Sequence, residues 1–381
     1  MDLDLTWLLW GLPLAFALGW LASRLDLRQW RLESRRAPKA VFRGLNHLLN
    51  EQQDRAIDAF IEAVQNDPDT SELHFALGNL FRRRGDYDRA VRVHEHLLAR
   101  GDLTQKDRDR AQHALALDFL KAGLLDRAEA ALRRLEGSAF ASEARQALLG
   151  IYERGRDWSQ ASAMAEQLDT EQPGSYQIRL SHFLCEQALE RARQGDRPGA
   201  LQLLEAATAR APEAARPRIE RALLLQQDGA AGPALDMLLE TSAHAPQSLP
   251  LVAHPMAQLA KQTKRQAEVR QRLQGLQSQP PSLDVTEAIA QLSEDNTQAR
   301  ATYLAHLGTE ASLVVASRWL ADEPLSDPQA KALVLRALDQ AANPLKRYRC
   351  AACGFEARQY FWQCPGCQSW DSYPTRRVEE L

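Results

Sequence analysis

An all-α solenoid of helical repeats, with an apolar helix at its amino-terminal end and a small metal-held ribbon at its carboxy-terminal end, is the fold this chain of 381 residues predicts. Three observations point to it. The long middle of the chain is rich in Ala, Leu, Arg, Gln and Glu, has few β-branched runs, and carries a tripeptide that recurs along it. Residues Leu5 to Ala22 are almost wholly apolar. The last thirty-odd residues hold two Cys-x-x-Cys pairs in a chain with 5 cysteines in all.

The amino-terminal run, LTWLLWGLPLAFALGWLA, has Thr6 as its one polar side chain. As a helix rising 1.5 Å per residue it spans roughly 27 Å, enough to cross the hydrocarbon core of a bilayer. Gly11 and Pro13 are tolerated in a transmembrane helix, and Trp7 and Trp20 sit near the two interfaces that indole rings favour. Asp2 and Asp4 precede the run, whereas Arg24, Arg28, Arg31, Arg35, Arg36, Lys39 and Arg43 follow it against only Asp26 and Glu33. By the positive-inside rule the anchor is single-pass, with the amino terminus outside and the body in the cytoplasm. Ala15-Phe16-Ala17 resembles a signal-peptidase triplet, but a signal peptide carries its positive charge before the apolar run. The division predicted here is an anchor over 1–23 and a basic linker over 24–36, whose charges also suit anionic head groups.

The repeats occupy 37–345. Asp54-Arg55-Ala56, Asp88-Arg89-Ala90 and Asp126-Arg127-Ala128 recur, the first two 34 residues apart, with breaking turns such as Gly85-Asp86 and Gly123-Leu124 ahead of them. Gly195 with Ala200 and Gly229 with Ala234 repeat at 34, and Pro212, Pro246 and Pro280 close units at the same spacing. That is the tetratricopeptide period, in which each helical hairpin buries its apolar stripe on the next; about nine hairpins fit the segment. A small residue such as Ala56 or Gly78 lets paired helices approach, and the stacked first helices form a concave face suited to extended protein segments. In this frame the groove positions of the early units fall at Leu45, Leu48, Phe75, Asn79, Arg82, His113, Leu117 and Leu120. Packing between repeats is the competing role for each.

The carboxy-terminal segment, 346–381, carries Cys350-Ala-Ala-Cys353 and Cys364-Pro-Gly-Cys367, separated by ten residues. Four thiolates from two short turns can surround one zinc ion tetrahedrally and leave no position for substrate, so the site is structural. Iron accepts the same ligands. A module this short cannot hold itself together by apolar burial and depends on its metal. Tyr348, Phe355, Tyr360, Phe361, Trp362, Trp370 and Tyr373 supply more rings than the metal needs, so some should dock on a neighbouring surface. A redox-active dithiol requires a βαβ setting that is lacking. Cys185, in a helical run, reads as a small core residue.

No phosphate loop or nucleophile elbow is present, and His94-Glu-His96 has the wrong spacing for a helical metal pair. The chain is therefore not expected to be an enzyme. A formal net charge of -3 argues against a general nucleic-acid binder.

The order of parts resembles one family across the whole chain: the lipopolysaccharide assembly protein B (YciM) family of Gram-negative bacteria. The resemblance is carried by the anchor, by the segment from Gly44 to Phe60 (GLNHLLNEQQDRAIDAF), by the tandem repeats, and by Tyr348-Arg-Cys-Ala-Ala-Cys-Gly-Phe with Trp362-Gln-Cys-Pro-Gly-Cys-Gln-Ser-Trp. The cysteine pieces look like a rubredoxin knuckle pair, although the spacer is far shorter than in an electron-carrying rubredoxin. The resemblance implies an inner-membrane adaptor that restrains lipopolysaccharide synthesis by promoting degradation of the lipid A pathway deacetylase, LpxC, by the membrane protease FtsH. It also implies a membrane-embedded regulator as partner and allows a homo-oligomer. The alternatives are a membrane-bound scaffold for another envelope complex and a rubredoxin-like redox carrier.

Overall fold

The computed structural model of the protein describes residues 13–21, 36–66, 70–277 and 281–381. They belong to two compact units, Met1–Ile151 and Tyr152–Leu381. Among the described residues no helix is long and apolar enough to cross a membrane. The run Leu5–Ala22 lies largely outside them; its described part, α1 (residues 13–21), is a helix with exposed side chains, Leu14, Phe16 and Leu18 among them. Pro280 also lies outside the described residues.

In the first unit α2 (Arg36–Leu49) packs on α3 (Gln53–Asn66), α4 (Ser71–Arg84) on α5 (Tyr87–Ala99), and α6 (Gln105–Ala122) on α7 (Leu125–Arg133). The turns are those the sequence marks. Gly85 and Gly123 adopt φ of 88° and 76°, and their amides bond the carbonyls of Arg82 and Leu120 while Asp86 and Leu124 reach back to Phe81 and Phe119. This is the left-handed cap that satisfies the last carbonyls of a helix, and glycine takes it without a Cβ penalty. The alanines of the recurring tripeptide, Ala56, Ala90 and Ala128, are each fully buried. Around them Leu77, Leu97 and Leu132 fill the space between helices, each contributing about 2 kcal/mol by burial.

Gly78 has a particular use. A Cβ there would lie 2.5 Å from the imidazole of His94, so the missing side chain is what admits that ring between α4 and α5. His94 is fully buried, its Nδ1 2.5 Å from a carboxylate oxygen of Asp118 on α6. The other oxygen of Asp118 accepts from Arg82 at 2.9 Å, and Arg82 also donates to the Ala114 carbonyl. One buried carboxylate thus ties α4, α5 and α6. His96 instead faces His74, which settles why the neighbouring histidines do not act together.

The second unit begins inside α8 (Ala141–Gly155) and continues with α9 (Trp158–Glu171), α10 (Gln177–Arg193), α11 (Arg197–Arg210), α12 (Ala215–Gln227), α13 (Ala231–His244), α14 (Leu249–Thr263), α15 (Gln266–Leu276), α16 (Leu283–Gln291), α17 (Asn296–Leu307), α18 (Leu313–Asp322) and α19 (Pro328–Ala342). Gly195 and Gly229 repeat the left-handed turn, and Ala161, Ala200 and Ala234 repeat the fully buried alanine. Its main core joins α12 to α16 through Leu235, Leu238, Val252, Met256 and Ile289. After α19 the chain forms a two-stranded antiparallel ribbon, β1 (Tyr348–Arg349) with β2 (Glu356–Ala357), pairing Tyr348 with Ala357. The fold is thus a tetratricopeptide-like helical solenoid ending in a knuckled ribbon.

Gly78→Ala should destabilise the first unit by about 1–3 kcal/mol, because the new methyl overlaps a ring that has nowhere to move. Urea unfolding of the variant against the parent measures it, and an unchanged midpoint would show that His94 can be displaced without cost.

Candidate metal centre

Both Cys-x-x-Cys pairs sit in the same kind of turn. In the first, the Cys350 amide donates to the Phe355 carbonyl and the Gly354 amide returns to Cys350, both at 2.9 Å. In the second, the Cys364 amide donates to Ser369 at 2.9 Å and the Gln368 amide to Cys364 at 2.8 Å, beside a bridge between Gln363 and Trp370. The residue after the last cysteine has positive φ in each, 77° at Gly354 and 62° at Gln368. Glycine carries this freely; the glutamine bears about 1 kcal/mol of strain that the knuckle imposes.

The four sulfur atoms of Cys350, Cys353, Cys364 and Cys367 all lie within 4.8 Å of one another. Cys350 and Cys367 are 3.8 Å apart, and Cys353 and Cys364 3.7 Å. These are not disulfide distances, which are about 2.05 Å. A tetrahedron of metal–sulfur bonds of about 2.3 Å has edges of about 3.8 Å, so the donors already stand where such an ion requires them. All four positions are then filled, and none is left for a substrate.

The surrounding hydrogen bonds suit thiolates. Cys350 lies 3.3 Å from the Ser372 hydroxyl and Cys367 3.3 Å from that of Ser369. Burial works against ionisation of Cys350, but the Ser372 hydroxyl and the amides of Cys353 and Ala352 outweigh it and bring the thiol down to about 6. At Cys353 the Phe355 amide favours the thiolate, yet desolvation and the three neighbouring sulfurs prevail and push it up to about 12. A cation between them removes that conflict.

The ribbon has a small core of its own, Tyr348, Cys350, Cys364 and Tyr373, and is seated on the second unit by rings and charges. Trp370 stacks on His182 of α10 at 4.7 Å, meets Phe183 and Trp158 edge-on, and donates its indole N–H to Glu153 of α8 at 3.0 Å. Glu153 is held in a two-pronged pair with Arg179, at 2.7 and 2.6 Å. His182 also bonds Asp371 at 2.8 Å, and the buried Arg216 of α12 bonds Glu186 and lies 5.7 Å from the Trp362 ring. Beside them runs a cavity of about 480 Å³ walled by Ile178, Pro212 and Leu251 on one side and Tyr360 and Trp362 on the other.

The tail completes the seat. Arg377 forks onto Asp284 of α16 at 2.8 and 2.7 Å and lies over the Tyr348 ring at 4.0 Å. Glu380 accepts from the Leu283 amide at the start of α16, and Glu379 from the Leu313 and Val314 amides at the start of α18. Carboxylates there satisfy orphan amides and the positive end of the helix dipole. Ribbon and tail therefore reach α8, α10, α12, α14, α16 and α18, the alternate helices of this unit.

The metal ligands come together as the spacing predicts. Cys185 is fully buried, and burial pushes its thiol up to about 12, so it packs and does not react. The groove positions divide. Leu45 is exposed, while Leu48, Leu117 and Leu120 are partly covered. Phe75 is only 1% exposed, packed on Leu97 and Ala111 with the Arg110 guanidinium 4.1 Å over its ring, so it builds the core and cannot face a partner. Arg82 is engaged with Asp118 and Asn79, and His113 stacks on Phe140 at 4.7 Å, where burial lowers its pKa. Sequence reasoning missed the seat itself: Glu153, His182, Arg216 and Asp284 are ordinary helical residues, and only the surplus of rings near the cysteines hinted at it.

Cys350→Ser should lose bound metal and expose the ribbon to protease while α10 to α15 stay folded. Metal analysis with limited proteolysis reads this, and full metal content in the variant would refute the four-ligand site. A second outcome concerns pH. His254 lies 3.3 Å from Asp284 and 3.5 Å from Glu287, and those two hydrogen bonds, chiefly that to Asp284, raise its pKa to about 9 despite burial. The stabilisation is complete below the unfolded value of about 6.5 and is lost as pH rises through about 9, on the order of 2 kcal/mol in all. Unfolding midpoints between pH 6 and 10, with His254→Gln flattening the decline, would show it.

A family model described as "Rubredoxin metal binding domain" matches residues 348–373. The chain is 31% identical over 393 aligned positions to lipopolysaccharide assembly protein B of Escherichia coli (strain K12), covering 100% of both. It is 27% identical to the protein of that name from Haemophilus influenzae, covering 95% of this chain and 96% of the relative. Among solved structures, a tetratricopeptide repeat protein from Parabacteroides merdae aligns with a TM-score of 0.35 at 12% identity, over 68% of this chain and 99% of its own. By its full-length similarity to the curated relatives, the chain belongs to the lipopolysaccharide assembly protein B family.

Proposed function

We propose that this protein acts in lipopolysaccharide assembly as an inner-membrane adaptor, with Leu5–Ala22 as its anchor and the repeats in the cytoplasm. The observation that carries the adaptor reading is the closed knuckle. Four thiolates take every coordination position of the metal, so the site can hold a ribbon in place but offers no substrate a bond. The name shared by its relatives supports the pathway. The finer reading is that the adaptor binds the lipid A pathway deacetylase and presents it to the membrane protease, with zinc as the resident metal.

Physical chemistry favours this division of labour. Tethering to the same membrane as a protease raises effective concentration, so modest contacts suffice to deliver a substrate. In the second unit the ribbon already lies on the alternate helices, which leaves the first unit's helices, the partly covered Leu48, Leu117 and Leu120 among them, as the surface for a partner. Depleting the protein in its host should lengthen the half-life of the deacetylase after protein synthesis is blocked. An unchanged half-life would reject the proteolytic role and favour a scaffold for another envelope complex. Removing residues 1–23 should abolish the effect at equal abundance.

A further inference from the structure

Helix α2 has two unlike sides. Ala40 and Gly44 are buried against α3, and Gly44 is required there because a Cβ would stand 2.8 Å from the Phe60 ring. Away from that contact Phe42, Leu45 and Leu49 are 70%, 45% and 76% exposed. At steps of three and four residues they form one stripe along the helix. Lys39 and Arg43, both exposed, lie on the flank between this stripe and the face packed on α3. Among the described residues Arg43 is tied only by a surface pair to Glu62 at 3.2 Å, which leaves it available to another anion.

We propose that this stripe rests in the head-group region of an anionic bilayer, so that the first hairpin lies on the membrane surface. The inference rests on the anchor reading of Leu5–Ala22. Two features select a lipid surface over a protein partner. From Arg24 to Arg43 the chain carries seven basic residues against two acidic ones, the balance that anionic head groups attract. The 13 residues from 23 to 35, even fully extended, reach no more than about 45 Å, so an anchored chain keeps α2 beside the bilayer permanently. An apolar stripe bordered by lysine and arginine is the design of a helix that lies in the interface plane.

The test uses the full chain in nanodiscs, with Leu45→Cys, Leu49→Cys and, as a control away from the stripe, Asp88→Cys. Each is labelled with a membrane-impermeant maleimide and read site by site by mass spectrometry. In phosphatidylglycerol-containing discs, labelling at 45 and 49 should be at least about tenfold slower than at 88. The protection should weaken in phosphatidylcholine discs and vanish when Lys39→Glu and Arg43→Glu are added to Leu49→Cys. Labelling at 45 and 49 as fast as at 88 in anionic discs overturns the inference. Equal protection in phosphatidylcholine discs also overturns it, since a second copy or another part of the chain, and not anionic head groups, would then cover the stripe. Failure of the protein to co-elute with discs at all would instead show that the anchor reading is wrong.

Discussion

Four sulfur atoms within 4.8 Å of one another cannot all ionise without a cation between them, and the carboxy-terminal architecture follows from that constraint. Ionisation is favoured at Cys350 and opposed at Cys353, so the thiols alone are in conflict, and a metal ion resolves it. Once it is resolved, two short turns become one rigid body that presents Trp362 and Trp370 to the neighbouring helices. The ribbon's own core is only Tyr348, Cys350, Cys364 and Tyr373, too small to fold by burial alone.

The rigid ribbon then serves as a brace. Trp370 places its ring among His182, Phe183 and Trp158 and its N–H on Glu153, while Arg377, Glu379 and Glu380 reach Asp284 and the starts of α16 and α18. Repeat arrays gain most of their stability from nearest-neighbour contacts. A body that touches α8 through α18 adds coupling between hairpins far apart in sequence, so the second unit should resist local opening more than a bare array. Among the described residues the first unit has no such brace; there α4, α5 and α6 are joined by the carboxylate of Asp118, which binds Arg82 and His94.

These two devices suggest different uses. The second unit holds its alternate helices against its own ribbon, which suits a fixed frame. The first unit leaves an exposed stripe on α2 and partly covered leucines on α6, which suits contact with other surfaces. An anchor ahead of the first unit would bring that side to the bilayer, where the proposed partners reside.

Much of this was legible in the chain. The Asp-Arg-Ala repeat, the turn glycines and the cysteine spacing depend on local rules: a small residue where helices cross, positive φ where a helix ends, and two short turns to bring four thiolates around one ion. Those rules act over a few residues, so Ala56, Gly85 and the four ligands could be assigned from sequence. What only the tertiary structure decided is which surfaces meet. Phe75 sits at a groove position in the repeat frame but is buried by Arg110 and Leu97, because neighbouring helices determine which flank of a helix stays open. Glu153, His182, Arg216 and Asp284 give no local sign that a distant ribbon will cover them, since their partners lie far along the chain and are brought near only when the helices stack.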